Sequence, residues 1–141
     1  MRKSILVTGG TKGIGRAIIE RFAKEGFDIY TCARNEGDLL ALKKSLEEKY
    51  PEIKVLAIAA DLSKKEEVNS FADKVKSLVI PDILVNNTGI FLPGAIHDEP
   101  EGNFEFMMQT NLYSAYYLSR AFAKEMMQRR SGHIFSMGSI A

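Results

Sequence analysis

The sequence predicts an α/β fold of the Rossmann-like, doubly wound type, in which helices cover both faces of a parallel sheet. Short apolar runs alternate with longer segments whose apolar residues recur at helical spacing, and this alternation continues through the 141 residues. A glycine cluster directly follows the first apolar run. Right-handed crossovers then give the strand order 3-2-1-4-5, with a ligand cleft at the carboxyl ends of the strands.

The glycine cluster after the first strand is the clearest local signal. Residues 5–7 (Ile-Leu-Val) predict a buried strand, and the apolar residues from Ile14 onward predict a helix. Gly9, Gly13 and Gly15 lie at the turn, where positive φ is needed and where a side chain would keep a phosphate from the backbone N–H groups. We expect a dinucleotide pyrophosphate there, with an ordinary strand-to-helix turn as the alternative.

The end of the second strand bears on the choice of nucleotide. Residues 27–33 predict this strand, which ends in Arg34 and in Asn35, a predicted helix cap. At this distance from the glycines an acidic residue would hold the ribose 2′-hydroxyl of NAD, whereas Arg accommodates the 2′-phosphate of NADP. From the strand end at Ala33 onward the first carboxylate is Glu36, and Lys12 adds a second cation. NADP(H) is therefore favoured over NAD(H), with two solvated surface charges as the alternative.

The third strand, predicted over residues 53–59, is followed by Asp61 and Leu62. Asp61 stands where an adenine amino group could be recognised, or where a carboxylate serves the dipole of the next helix. Ser63 with Glu66 predicts a capping box for that helix.

The fourth strand, predicted over residues 82–85, continues into Asn86, Asn87, Thr88 and Gly89. Two amides and a glycine directly after a strand indicate backbone that passes close to a ligand. A simple turn is the alternative.

The segment 101–130 predicts the longest helix. Its apolar arc is wider than one core-facing stripe, which suggests a second partner, most simply another copy of the chain. Asn111 is a poor helix former among these apolar neighbours, and we expect its amide to be buried and hydrogen-bonded. The predicted core positions are Phe104, Met108, Leu112, Ala115, Leu118, Phe122 and Met126.

The last apolar run, residues 133–137, predicts a fifth strand with Ser139 beyond its carboxyl end. His133 stands at the opposite end and is interpreted as structural. Residues 97–99 (His-Asp-Glu) are not expected to hold a metal, because three adjacent side chains cannot all face one ion. The candidate binding residues thus all fall at one edge of the predicted sheet.

Composition narrows the classes of function. Lys and Arg total 19 against 18 Asp and Glu, and a net charge of +1 gives no field that would hold nucleic acid or an anionic membrane. Arg16 stands where a phosphate-loop NTPase needs Lys, which argues against that class. A chain of 141 residues is long enough for one core, so we expect one domain over residues 1–141. Because there is no long apolar segment and Cys32 is the single cysteine, we expect the protein to be soluble and cytoplasmic.

With these motifs in register, the chain resembles the short-chain dehydrogenase/reductase family over all 141 residues. The matching segments are Thr8–Gly15, Asp61-Leu62, Asn86–Gly89, Asn111 and Gly132–Ser139. The resemblance implies NADPH-dependent hydride transfer to or from a carbonyl or alcohol carbon of a small molecule. It implies that Ser139 orients the substrate oxygen and that Asn111 supports a water of a proton relay. The implied cofactor-binding residues are Gly9, Thr11, Lys12, Gly13, Ile14, Gly15, Arg34, Asn35, Asp61, Leu62, Asn87 and Gly89.

Two features depart from the family pattern. Thr88 stands where the family usually has Ala. The family's acid, a Tyr in a Tyr-x-x-x-Lys turn beyond the serine, is not in the sequence, and neither is the Lys that would lower the Tyr pKa. We expect the chain to be the N-terminal part of a longer enzyme, truncated after strand five and inactive alone. A non-catalytic NADP(H)-binding module is the alternative.

Overall fold

A computed structural model of the chain, which describes residues 1–140, contains a five-stranded parallel sheet in the order β3-β2-β1-β4-β5. The predicted fold class and strand order are therefore confirmed. Observed and predicted strand boundaries differ by no more than two residues. The strands are β1 (Ser4–Thr8), β2 (Asp28–Ala33), β3 (Val55–Ala59), β4 (Ile83–Asn86) and β5 (His133–Ser136).

Helices cover the two faces of the sheet. Alternate residues of β1 divide between two cores: Ile5 and Val7 pack with α1 and α2, whereas Leu6 packs with α3 and α5. The side chain of Asn35 accepts a hydrogen bond from the Asp38 N–H, so its predicted capping of α2 is confirmed. The helices are α1 (Gly13–Lys24), α2 (Glu36–Lys49), α3 (Lys65–Lys76), α4 (Asn103–Met108) and α5 (Ser114–Gln128).

The parallel register brings the carboxyl ends of the strands together. Thr8 of β1 lies opposite Cys32 of β2, and Asn86 of β4 lies opposite Ser136 of β5. β1 is the central strand, with β2 on one side and β4 on the other. The loop after β1 is consequently flanked by the ends of two neighbouring strands.

The predicted long helix over 101–130 is interrupted. A π-helical segment, Gln109–Tyr113, joins α4 to α5. Each turn of a π-helix holds more residues than a turn of an α-helix, so the residues of α5 face a different direction from the one that continuous α-helical spacing after α4 predicts. The hydroxyl of Ser114 donates to the carbonyl of Thr110 at 2.6 Å, which occupies a backbone acceptor in this wider segment.

This phase change makes part of the predicted core stripe wrong. Phe104 and Leu112 are more than half exposed, at 57% and 52%. Further along, Leu118, Phe122 and Met126 are buried as predicted. The buried row runs instead through Thr110, Ser114, Leu118, Phe122 and Met126 at a spacing of four residues.

β5 differs from the other strands because all four of its residues are exposed.

Within residues 1–140, no helix combines the length and the apolar character that crossing a membrane requires.

Candidate functional site

A cleft of about 740 Å³ opens at the carboxyl edge of the sheet. Most of the residues predicted to bind a nucleotide line it, and they come from the loops after β1, β2, β3 and β4. Ile14 and Gly15 are not among the lining residues. Those that line it are Gly9, Thr11, Lys12, Gly13, Arg34, Asn35, Asp61, Leu62, Asn87 and Gly89.

The glycine loop presents bare backbone to this cleft. Gly13 has φ of +56°, and a Cβ built on it would meet no atom within 4 Å, so the loop faces open space at the first residue of α1. A Cβ on Gly15 would overlap the carbonyl oxygen of Gly9 and would lie 2.6 Å from the Nδ2 of Asn87. The turn therefore has no room for a side chain at Gly15, whereas its open backbone at Gly13, at a helix N-terminus, suits a phosphate group.

Asn87 joins the glycine loop to the end of β4. Its side-chain amide donates to the carbonyl oxygens of Thr8 and Gly9, at 3.0 and 3.3 Å. In return, the hydroxyl oxygen of Thr8 accepts from the N–H groups of Asn87 and Thr88, both at 2.9 Å. From the sequence, Asn87 was expected beside a ligand, but the role of Thr8 was missed. The one hint of that role was the hydroxyl that Thr8 carries at the end of a strand.

Asp61 is held by the turn that precedes α3. Its Oδ1 accepts from the N–H of Ser63 at 3.0 Å and from the hydroxyl of Ser63 at 2.7 Å. The predicted capping box is therefore wrong: α3 begins at Lys65 without a side-chain cap, because the Ser63 hydroxyl is used by Asp61. Burial raises the pKa of Asp61, but these hydrogen bonds and the charges of Lys64 and Arg34 outweigh burial, and the pKa lies below its usual value.

The two predicted phosphate-binding cations lie at the exposed end of the cleft. Lys12 and Arg34 are both exposed, and both line the cleft. The Nζ of Lys12 lies 3.6 Å from the Oδ2 of Asp38. Sequence reasoning missed Asp38, which also lines the cleft. The sequence did carry a signal for Asp38: it stands three residues after the predicted cap Asn35, and that spacing places it in the first turn of α2.

Asn111 lies in the π-helical segment and pairs with the loop after β4. Its Oδ1 accepts from the N–H of Ile90 and its Nδ2 donates to the carbonyl of Ile90, both at 2.7 Å. The expected hydrogen bonding is confirmed, but the expected burial is wrong, since Asn111 is exposed. In the same π segment, the neighbouring Thr110 is buried and lines the cleft.

Ser139 lies on the exposed segment that follows β5. The Met137 N–H still donates to the carbonyl of Asn86 at 3.0 Å, so the chain leaves the sheet beside the β4 loop, at the same edge as the cleft. Neither Ser139 nor Asn111 lines the cleft. His133 begins β5 at the opposite edge.

Cys32 lies beneath the glycine loop, fully buried in β2. Burial raises the pKa of its thiol to about 12, although a hydrogen bond with the backbone of Gly9 acts in the opposite direction. The thiol is thus protonated near neutral pH. Among the described residues, no group of three His, Cys, Asp or Glu side chains is arranged to hold a metal ion.

Comparison with protein families finds a match to a model described as short chain dehydrogenase, over residues 3–141. A tropinone reductase homolog of Arabidopsis thaliana is 39% identical over 141 residues, which are 99% of this chain and 52% of that protein. A 3-oxoacyl-[acyl-carrier-protein] reductase of Haemophilus influenzae is 34% identical over 139 residues, which are 98% of this chain and 55% of that protein. The chain spans about half the length of the curated relatives it matches.

Solved structures are similar over the same extent. L-sorbose reductase from Gluconobacter frateurii, complexed with NADPH and L-sorbose, matches with a TM-score of 0.92 and 34% identity over 99% of this chain and 53% of that one. A short-chain dehydrogenase from Sphingobium yanoikuyae in complex with NADPH matches with a TM-score of 0.91 and 28% identity, over 98% of this chain and 54% of that one.

Proposed function

Because the chain belongs to the short-chain dehydrogenase family, we propose that it binds NADP(H) and serves hydride transfer between the nicotinamide and a carbonyl or alcohol carbon. The observation that carries this proposal is the cleft, in which the glycine loop, Arg34 and the Asn87–Gly89 loop meet at one edge of the sheet. Two similar structures hold NADPH, and a further one, a metagenomic short-chain oxidoreductase, holds NADP. The nicotinamide supplies or accepts the hydride; the residues of this chain bind and orient the reactants.

The nucleotide is assigned to residues at successive strand ends. The N–H groups at Gly13–Gly15 face the pyrophosphate, since α1 begins there with an open approach. Arg34 and Lys12 hold the 2′-phosphate, and Asp61 with Leu62 borders the adenine. The remaining proposed contacts are Gly9, Thr11, Ile14, Asn35, Asn87 and Gly89.

Ser139 and Asn111 are proposed to act on the substrate side. Ser139 orients the substrate oxygen, and Asn111 supports a water that continues the proton relay. An amide has two donor hydrogens and two acceptor lone pairs, so the pairing with Ile90 uses half of the capacity of Asn111 and still fixes its orientation. Proton transfer to the substrate itself is assigned to no residue of this sequence, because no Tyr-x-x-x-Lys pair follows Ser139 in it.

Arg34→Ala tests the nucleotide assignment. We expect NADPH to bind about tenfold more weakly because one charge-assisted contact to the phosphate is lost, whereas NADH affinity changes little. Dissociation constants for both nucleotides are measured by titration calorimetry on the purified chain. Equal losses for NADPH and NADH would refute the 2′-phosphate assignment, and a wild-type chain that binds neither nucleotide would refute the proposed function.

Ser139→Ala tests the catalytic assignment. In a protein that carries the family's Tyr and Lys as well, we expect turnover to fall about a hundredfold or more because one positioned donor to the substrate oxygen is lost. NADPH affinity should be nearly unchanged, because Ser139 does not line the cleft. Turnover is followed by NADPH oxidation against a panel of carbonyl compounds. Undiminished turnover would remove Ser139 from the mechanism.

We also propose that the α4–α5 face joins copies of the chain and that the protein is cytoplasmic. The exposed apolar side chains that support self-association are Phe104, Leu112, Tyr116 and Met127. The buried, reduced thiol of Cys32 supports the cytoplasmic assignment. Light scattering after size-exclusion chromatography tests the first proposal: a Leu112→Asp variant should have a lower mass than the wild type.

A further inference from the structure

The end of the cleft proposed for the 2′-phosphate contains carboxylates as well as cations. Lys12 and Asp38 both line the cleft, and their charged atoms are 3.6 Å apart. Arg34 lies close enough to Asp61 to help lower the pKa of that carboxyl. Each cation therefore faces an acidic side chain of the same protein, and this end of the cleft has no surplus of positive charge from these four residues.

The position of Asp38 follows from the start of α2. Asn35 accepts the hydrogen bond of the Asp38 N–H at 2.9 Å, which fixes the first turn of the helix. A carboxylate in a first turn is also stabilised by the helix dipole. Asp38 is thus held on the cleft side by backbone geometry, and it meets Lys12 across the mouth of the cleft.

We propose that Asp38 is a specificity-determining residue that reduces the preference for NADP(H) over NAD(H). The proposal rests on the nucleotide-binding function argued above. A 2′-phosphate must compete with Asp38 for Lys12 and is repelled by the carboxylate. The ribose 2′-hydroxyl of NAD(H) carries no charge, and a carboxylate can accept a hydrogen bond from it. The chain uses both nucleotides, and its preference for NADP(H) over NAD(H) is smaller than Lys12 and Arg34 alone would give.

Asp38→Asn is the direct test. NADPH affinity should rise about threefold to tenfold, a moderate gain because the Lys12 and Asp38 side chains are 82% and 42% exposed and solvent screens their charges. NADH affinity should stay the same or fall. Asp73→Asn is the matched control: it makes the same change of charge at an exposed position of α3 outside the cleft, and should alter neither affinity.

A double-mutant cycle separates competition for Lys12 from a general charge effect. In the Lys12→Ala background, the gain in NADPH affinity caused by Asp38→Asn should shrink to less than half of its value in the wild type. An unchanged ratio of NADPH to NADH affinity in Asp38→Asn, with both nucleotides bound, would overturn this inference and leave the proposed function standing. Failure of the wild-type chain to bind either nucleotide would overturn both.

Discussion

β1 and β5 lie on opposite sides of β4 in the same parallel sheet, yet they are buried to opposite degrees. All five residues of β1 are buried, whereas all four residues of β5 are exposed. β1 pairs with β2 and β4 and is packed by helices on both faces; Ile134 and Phe135 of β5 are 39% and 53% exposed. The glycine loop therefore extends from a fully supported strand, and Ser139 follows a strand whose side chains meet solvent.

The difference separates two parts of the proposed activity. The glycine loop, which is proposed to receive the nucleotide, is positioned by partly buried hydrogen bonds, above all those between Thr8 and Asn87. Ser139 follows β5, which is the edge strand of the sheet in a chain that spans about half the length of its relatives. We therefore expect nucleotide binding to depend on the core around β1.

The sharpest test of this contrast uses two paired residues of neighbouring strands. Leu84 of β4 and Ile134 of β5 are opposite each other in the register, but Leu84 is fully buried and Ile134 is not. Leu84→Ala should lower the free energy of unfolding by about 3 kcal/mol because it leaves a cavity. Ile134→Ala should lower it by less than about 1 kcal/mol. Urea unfolding followed by circular dichroism measures both; similar losses would show that β5 is buried in solution.

A smaller effect is expected where the glycine loop meets β4. Thr8→Val keeps the shape but removes the acceptor of two backbone N–H groups, and should cost about 2 kcal/mol of unfolding free energy and weaken NADPH binding. Thr110→Val is the matched control, because within residues 1–140 that buried hydroxyl has no hydrogen-bond partner. It should be neutral or stabilising. A Thr8→Val chain as stable as the control would contradict the support assigned to the β1 edge.

The last effect concerns Cys32: it is absent near neutral pH and appears only at high pH. Its thiol has a pKa of about 12 in the fold against 9.0 for an unperturbed thiol, so above pH 9 the unfolded chain loses a proton that the folded chain keeps. Stability is unaffected below pH 9 and falls as the pH rises toward 12, by about 1.4 kcal/mol per pH unit from this group. Unfolding free energies between pH 8 and pH 10.5 should fall more steeply for the wild type than for Cys32→Ala. Equal slopes would show that the thiol is accessible to solvent.

The sequence by itself determined the features that depend on local chemistry. Alternating apolar runs predicted the five strands and their order, and the glycines at 9, 13 and 15 predicted the tight turn before α1. The capping of α2 by Asn35 was also predictable, since donor and acceptor are only three residues apart. Such features follow from backbone geometry and from the periodicity of burial, which need few long-range contacts.

Only the tertiary structure decided which side chains meet across the sheet and how the last helix is rotated. Asp38 pairs with Lys12 over 26 positions of sequence, and Thr8 bonds to Asn87 over 79. The π segment buries Thr110 and Ser114 in place of Phe104 and Leu112. Hydroxyl and carboxylate groups have many possible partners along a chain, and a helix has many possible rotations. Packing against the sheet selects one partner for each group and one rotation for the helix. A local sequence pattern does not contain the long-range contacts that make this selection.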